Sequence, residues 1–270
     1  MKSILVHVRD DAGLEARLQA ALDIARAFRG HLTCHSNIPF NGYTAISPFG
    51  SSYALTGLYE VMQELETKLQ HRVEAQLANE DVSWSYVTAT GFDDAELVSQ
   101  SALNDLIVMS HSGDPKEANS VLSLVGRVLT SSHAPLLLVP ESHLGFDVAG
   151  AALIGWNGSF EAGNVLRAAV PMLRHASSVT IVTVDDEPAD IFPSTAASEY
   201  LSRHGISSEL LNRVDHHASV EEVLLKTATE LNAQYLVMGA FGHSRAREFW
   251  FGGVTRTMLH TSAIPLLMAH

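Results

Sequence analysis

A glycine-rich run between an apolar strand and a helical pattern is the most chemically informative feature of this chain. Gly239-Ala240-Phe241-Gly242 is followed, after nine residues, by Gly252-Gly253-Val254-Thr255. Glycine at the end of a parallel strand lets the backbone turn sharply and approach a ligand with no Cβ in the way. Gly252 and Gly253 fall just ahead of a helical pattern at Thr255–Thr261. The first amides of such a helix lack intrahelical partners and sit at the positive end of its dipole, an arrangement that binds anions. Thr255 adds a hydroxyl, and Arg245, Arg247 and Arg256 are charges that could reach the same loop. Taken alone, a glycine cluster serves turns and helix starts as readily as it serves phosphate.

Other chemistry is weakly signalled. There is no Gly-x4-Gly-Lys-Ser/Thr loop, no Gly-x-Ser-x-Gly elbow and no His-Glu-x2-His helix. The sequence therefore names no general base and no catalytic residue. His7, His31, His35, His111 and His133 crowd the first half with Cys34, and imidazole with thiolate suits zinc. None of these forms a close ligand pair, and Cys34 and His35 would point to opposite faces of one strand, so no metal is assigned. His216 and His217 read as a solvated loop, and Phe249-Trp250-Phe251 as packed aromatics.

The elements that must position the glycines occur twice. Each half opens with a short apolar strand, Ser3–Val8 and Ala151–Gly155, and continues into an amphipathic helix. Leu14, Leu18, Ala21, Leu22 and Ala25 form the first apolar stripe; Ala162, Val165, Leu166, Ala169 and Leu173 form the second. Second strands follow near His31–Ser36 and Val179–Val184, and third strands near Ser83–Thr88 and Ser207–Arg213. Helices are expected near Leu58–Leu77, Asp94–Ala102, Ser194–His204 and Val220–Leu231. The closing strands match most closely, with Asp105–Ser110 against Gln234–Gly239 and Ala134–Val139 against Ile264–Ala269. Strands alternating with helices imply right-handed crossovers and a parallel sheet covered on both faces. The fold class expected is α/β, two tandem doubly wound domains of five parallel strands each, related by a pseudo-two-fold. The polar segment Glu141–Ala149 separates residues 1–141 from residues 150–270.

The whole layout resembles the universal stress protein family in its tandem, two-domain form. The family's nucleotide-binding members carry Gly-x2-Gly-x9-Gly followed by Ser or Thr after the fourth strand. Gly239, Gly242 and Gly252 meet that pattern, and Gly253 replaces the hydroxyl residue. The segment Ile154-Gly155-Trp156-Asn157-Gly158-Ser159 looks like the family's first strand and turn, with Asn157 where an Asp commonly helps hold the adenosine. Val184 matches the position whose backbone commonly meets adenine. The resemblance thus implies an adenine nucleotide, ATP or else ADP or AMP, with or without Mg²⁺. Its contacts would be Asn157, Ser159, Val184, Gly239, Gly242, Gly252, Gly253, Val254 and Thr255. A bulky residue at Gly252 should abolish binding. The role implied is regulatory, with an unidentified protein partner; the alternatives are a slow ATP hydrolase or phosphotransferase, and a scaffold with no nucleotide.

The first half departs from the pattern. Ser110 and Leu122 stand where the first and third glycines would be, and Arg9-Asp10-Asp11 brings two carboxylates that repel phosphate. This half is expected to hold no ATP. A net charge of −13 opposes association with nucleic acid or anionic membranes. A single cysteine, a strand-like start and the lack of an eighteen-residue apolar run suggest a cytoplasmic protein. The terminal strands Leu136–Val139 and Leu266–Ala269 are adhesive edges, and the resemblance implies that they meet as an intrachain pseudo-dimer, leaving a homodimer open.

Overall fold

The computed structural model describes residues 1–39, 52–111, 115–184, 192–241 and 253–270. The first half runs β1 (Ser3–Val8), α1 (Leu14–Phe28), β2 (His31–Pro39), α2 (Ser52–Leu77), β3 (Ser83–Gly91), α3 (Asp93–Ser101), β4 (Leu106–His111), α4 (Pro115–Ser131) and β5 (Leu136–Pro140). The second runs β6 (Ala152–Gly155), α5 (Phe160–Leu173), β7 (Val179–Val184), α6 (Ser194–Arg203), β8 (Glu209–Arg213), α7 (Val220–Glu230), β9 (Tyr235–Gly239), α8 (Gly253–Thr261) and β10 (Leu266–Ala269).

All ten strands belong to one sheet in the order β3-β2-β1-β4-β5-β10-β9-β6-β7-β8. Each half is thus a doubly wound set of five strands with the same internal order. Within a half every pairing is parallel; at the seam β10 pairs antiparallel with β5. The seam register sets Leu267 opposite Leu137, with Leu266 opposite Leu138 and Met268 opposite Leu136. Leu137 and Leu267 are equivalent residues of the two repeats, so the pseudo-two-fold passes through that pair. The apolar edges of the two halves cover each other.

The central strands read as unbroken apolar runs because both faces are buried. Successive side chains divide between two cores, as the period of two requires. Ile4, Val6, Val8, Leu106, Val108, Ile154 and Val237 join α1, α2, α5 and α6 on one face. Leu5, Ile107, Met109, Leu153, Leu236 and Met238 join α3, α4, α7 and α8 on the other. Both cores run across the seam. The helices begin where the sequence supplies caps. Ser219 and Glu222 close a reciprocal capping box at α7, and the Ser159 hydroxyl accepts from the Ala162 amide at the start of α5, 3.2 Å away.

Several boundaries differ from the sequence reading. The helix expected from Leu58 starts at Ser52, the third strand extends to Gly91, and the strand expected from Ser207 begins at Glu209. The segment between β5 and β6 is polar in composition, yet it packs. Phe146 and Val148 are buried, Phe146 lies against the Tyr235 ring at 5.4 Å, and its amide donates to Asp23 Oδ2 at 2.8 Å.

Candidate functional site

The second half winds outward from β6 through α5, β7 and α6 to β8, and then α7 returns the chain to β9 on the other flank of β6. Helices leaving β6 and β9 therefore diverge, and a crevice opens at the carboxyl ends of these two strands, where doubly wound sheets place ligands. Gly155 ends β6, Gly239 ends β9, and Val184 ends β7 one strand further out. The N-terminus of α8 lies on the same edge of the sheet because α8 runs back along the strand it follows.

Gly239 has a structural reason to be glycine. A Cβ there would come within 2.6 Å of the Ala162 amide nitrogen and 2.8 Å of the Glu161 carbonyl carbon, so the first turn of α5 fills the space. Close packing of helix on strand is thus a second reason for glycine here, beside the room for phosphate expected from the sequence. Gly253 is the opposite case. It is exposed at the start of α8, and a Cβ on it would meet none of the described residues within 4 Å. Val254 is half-buried, and Thr255 is buried in the same first turn. Gly242, Gly252, Arg245, Arg247 and Phe249-Trp250-Phe251 lie outside the described residues.

The turn after β6 is tightly organised. Asn157 is exposed, and its Oδ1 accepts from the Ser159 amide at 3.2 Å. Ser159 is buried and its hydroxyl caps α5, so that oxygen already has a backbone donor. Trp156, also buried, donates from Nε1 to the Phe192 carbonyl at 3.0 Å, and the Phe192 amide donates to the Gly158 carbonyl at 3.1 Å. Phe192 meets the exposed Phe160 ring edge to face at 5.8 Å. This aromatic pair borders the crevice and escaped sequence reasoning, although Phe160 directly after a capping serine was a visible signal. Beyond β9, Phe241 adopts φ +64°, uncommon for a bulky residue, and its ring packs on His270. The Ala240 carbonyl lies 3.0 Å from His270 Nδ1.

The same crevice in the first half, between β1 and β4, is built differently. Arg17 stands on the buried stripe of α1 at the position of Val165 in α5, and it is 1% exposed. Its guanidinium donates to both Asp11 carboxylate oxygens, at 2.8 and 3.2 Å, to the Arg9 carbonyl at 3.0 Å and to the Ser110 hydroxyl. Asp11 is thereby neutralised, and Asp10 pairs with Arg72. The expected repulsion of phosphate by two bare carboxylates is replaced by occlusion, an arginine seated where the strands diverge. The small residue has also changed sides. A Cβ on Gly13 would lie 2.2 Å from Ser110 Oγ, so the helix carries the glycine here and the strand carries the side chain. Leu122 does not face a phosphate position; α4 begins seven residues earlier, and Leu122 is buried in its core.

One histidine and the cysteine of the first half have local explanations. Both His31 ring nitrogens meet serine hydroxyls, Ser83 at 2.8 Å and Ser85 at 3.0 Å. Burial pushes the Cys34 thiol up to about 12. Among the described residues no group of three or more His, Cys, Asp or Glu could hold a metal ion. His216 and His217 are exposed. Among the described residues no helix is long and apolar enough to cross a membrane.

A mostly parallel sheet with diverging helices and a glycine-bearing switch point defines an α/β ligand-binding fold. Residues 151–270 match the sequence profile of the universal stress protein family. A curated universal stress protein of Synechocystis sp. is 28% identical over 173 residues, covering 60% of this chain; the chain spans 57% of that relative's length. A universal stress protein from Archaeoglobus fulgidus shares the fold at a TM-score of 0.76 and 14% identity, covering 99% of this chain and 95% of that one. A functionally unknown protein from Pseudomonas aeruginosa aligns at a TM-score of 0.61 and 15% identity, over 100% and 92% of the two chains. On these grounds residues 151–270 form a domain of the universal stress protein family, and the chain as a whole shares the fold of the solved structures.

Proposed function

We propose that residues 150–270 form the nucleotide-binding unit of a stress-response regulator, taking one adenine nucleotide per chain, and that residues 1–141 form a unit without one. The observation that carries this reading is the start of α8. A glycine with open space around it begins a helix at the switch-point edge of the sheet, where unpartnered amides and the helix dipole favour phosphate. Adenine would lie toward Val184 and the Asn157 turn, with the phosphates toward Gly253, Val254 and Thr255. Gly242 and Gly252 would complete the loop. ATP, ADP or AMP would fit this description, with any Mg²⁺ held chiefly by the phosphates. The chain acts in the cytoplasm, and nucleotide occupancy biases its surface toward a protein partner.

Hydrolysis is slow or absent on this reading, since none of the nucleotide contacts is an evident base and Asn157 supplies no charge to organise metal or water. Steady turnover above about 1 s⁻¹ would favour the slow hydrolase instead. The deciding experiment is release and mass-spectrometric identification of small molecules from protein purified without added nucleotide, followed by titration of the stripped protein. One adenine nucleotide per chain is expected. Two equivalent sites would overturn the division between the halves, and no binding at millimolar ATP, ADP or AMP would leave an interaction scaffold.

A further inference from the structure

The first half retains a cavity that the arginine plug does not fill. It has a volume of about 530 Å³, within the range of small-molecule sites. The carboxyl ends of β1 and β2 supply Val8, Arg9 and Ile38, and α2 supplies Met62, Leu65, Glu66 and Leu69. Val8, Ile38 and Leu69 are buried and make an apolar floor, while Leu65 is 58% exposed at the rim.

The polar side chains of this cavity are those of Glu66 and Asn37, with the buried His7 ring beside them and Arg9 and Asp10 at the mouth. Glu66 is half-buried, and its Oε1 accepts from two hydroxyls, Ser36 and Tyr86, the latter at 2.9 Å. Two donors on one oxygen fix the carboxylate plane and leave Oε2 to accept from something else. Asn37 also lines the cavity. Its Nδ2 donates to the Gly91 carbonyl at 3.0 Å. The charges at the mouth are Asp10, already paired with Arg72, and Arg9, exposed and screened by solvent.

We infer that this cavity binds a small amphipathic amine, an apolar ring or chain carrying an ammonium that donates to the Glu66 carboxylate. The ligand has no phosphate arm, because Arg17, Asp11 and Ser110 occupy the adjoining crevice. The site is independent of the nucleotide reading for the second half.

Tryptamine is a suitable probe and indole-3-acetate its control, since they share the ring and differ in the sign of the charge. Calorimetric titration of the full chain should detect tryptamine and give at least tenfold weaker binding of indole-3-acetate. Glu66→Gln keeps an oxygen acceptor for Ser36 and Tyr86 but removes the charge, and should weaken tryptamine about tenfold. Leu65→Lys changes only the exposed rim and should weaken tryptamine as well, which keeps the test informative should the first variant fail to fold. Saturating ATP should leave tryptamine binding unchanged. Absence of tryptamine binding at millimolar concentration, equal binding of both probes, indifference to both substitutions, or competition by ATP would each overturn the proposal.

Discussion

The two crevices of this molecule share strand order, helix crossings and position, yet they differ in who occupies them. In the first half the protein does so itself, through the Arg17 guanidinium held by Asp11, Ser110 and the Arg9 carbonyl. In the second half Val165 takes the place of Arg17, Gly239 that of Ser110, and no guanidinium enters from α5. The same exchange moved the glycine from Gly13 on the helix to Gly239 on the strand, so helix and sheet approach closely in both halves by opposite means. One fold thus yields a crevice sealed by its own side chain and another that, among the described residues, no such side chain seals. The difference rests on a handful of positions, none of which alters the strand order.

The strongest way to break this comparison is to remove the seal. Arg17→Met leaves the Asp11 carboxylate, 17% exposed, without its partner, and breaking such a pair from one side costs about 3–5 kcal/mol. Urea denaturation should show a loss of that order, and adding Asp11→Asn should recover part of it because the stranded charge disappears with it. A midpoint equal to that of the parent chain would mean that the knot contributes nothing.

Gly239→Ala should come next. The added methyl meets the backbone of Ala162 and Glu161 at 2.6 and 2.8 Å, atoms that cannot step aside as a flexible side chain would. Overpacking of this kind costs about 1–3 kcal/mol. Ser110→Ala in the first half removes only a hydroxyl and should cost about 1 kcal/mol. If the two losses came out equal, the argument that glycine and side chain have changed places would fail.

Much of this architecture could be read from the sequence. The paired apolar stripes and the matched strands Leu136–Val139 and Leu266–Ala269 specified two similar halves, and the adhesive character of those edges anticipated the seam. Apolar periodicity is a local property, and it survives into the structure. The knot around Arg17 was not legible, because its partners lie six and ninety-three residues away along the chain. The visible trace was a charged residue on the buried stripe of α1, three residues after Leu14. The approach of α5 to Gly239 was not legible either, since sequence cannot show which backbone approaches a glycine. The packing of Phe146 against Tyr235 was hidden by the polar residues around it.

The seam between the halves offers a pH test. Burial holds the His111 imidazole below its usual value; the Ser262 backbone and Glu141 oppose this and His260 reinforces it. His143 is depressed by burial too. A depressed imidazole binds its proton more readily in the unfolded chain, so stability is intact above the ordinary histidine value of about 6.5 and declines as pH falls through it. Burial alone would raise Asp105, but amide donors from Lys2 and Ser3 outweigh it, and its carboxyl lies below the usual range. That group acts only at lower pH, near the ordinary aspartate value of about 3.9. Between pH 7.5 and pH 5.5 the urea midpoint should therefore fall, and it should fall less in His111→Gln. An identical decline in that variant would remove His111 as a contributor.

The smallest effect on stability carries the most information about the ligand. Gly253 begins α8 where an added Cβ would touch none of the described residues within 4 Å, so Gly253→Ala introduces no clash with them. Its φ is not in the left-handed region that favours glycine, so alanine is not strained there. Reduced freedom in the unfolded chain should leave the variant equal in stability or about 0.4–1 kcal/mol more stable. A phosphate seated on the first amides of α8 would meet the new methyl directly, and nucleotide affinity should then fall about tenfold while the fold is untouched. The pair of substitutions Gly239→Ala and Gly253→Ala separates the two uses of glycine, the first lowering stability and the second lowering binding. Calorimetry of the two variants with ATP, alongside their urea midpoints, measures both quantities. Unchanged affinity in a stable Gly253→Ala protein would place the phosphates away from α8.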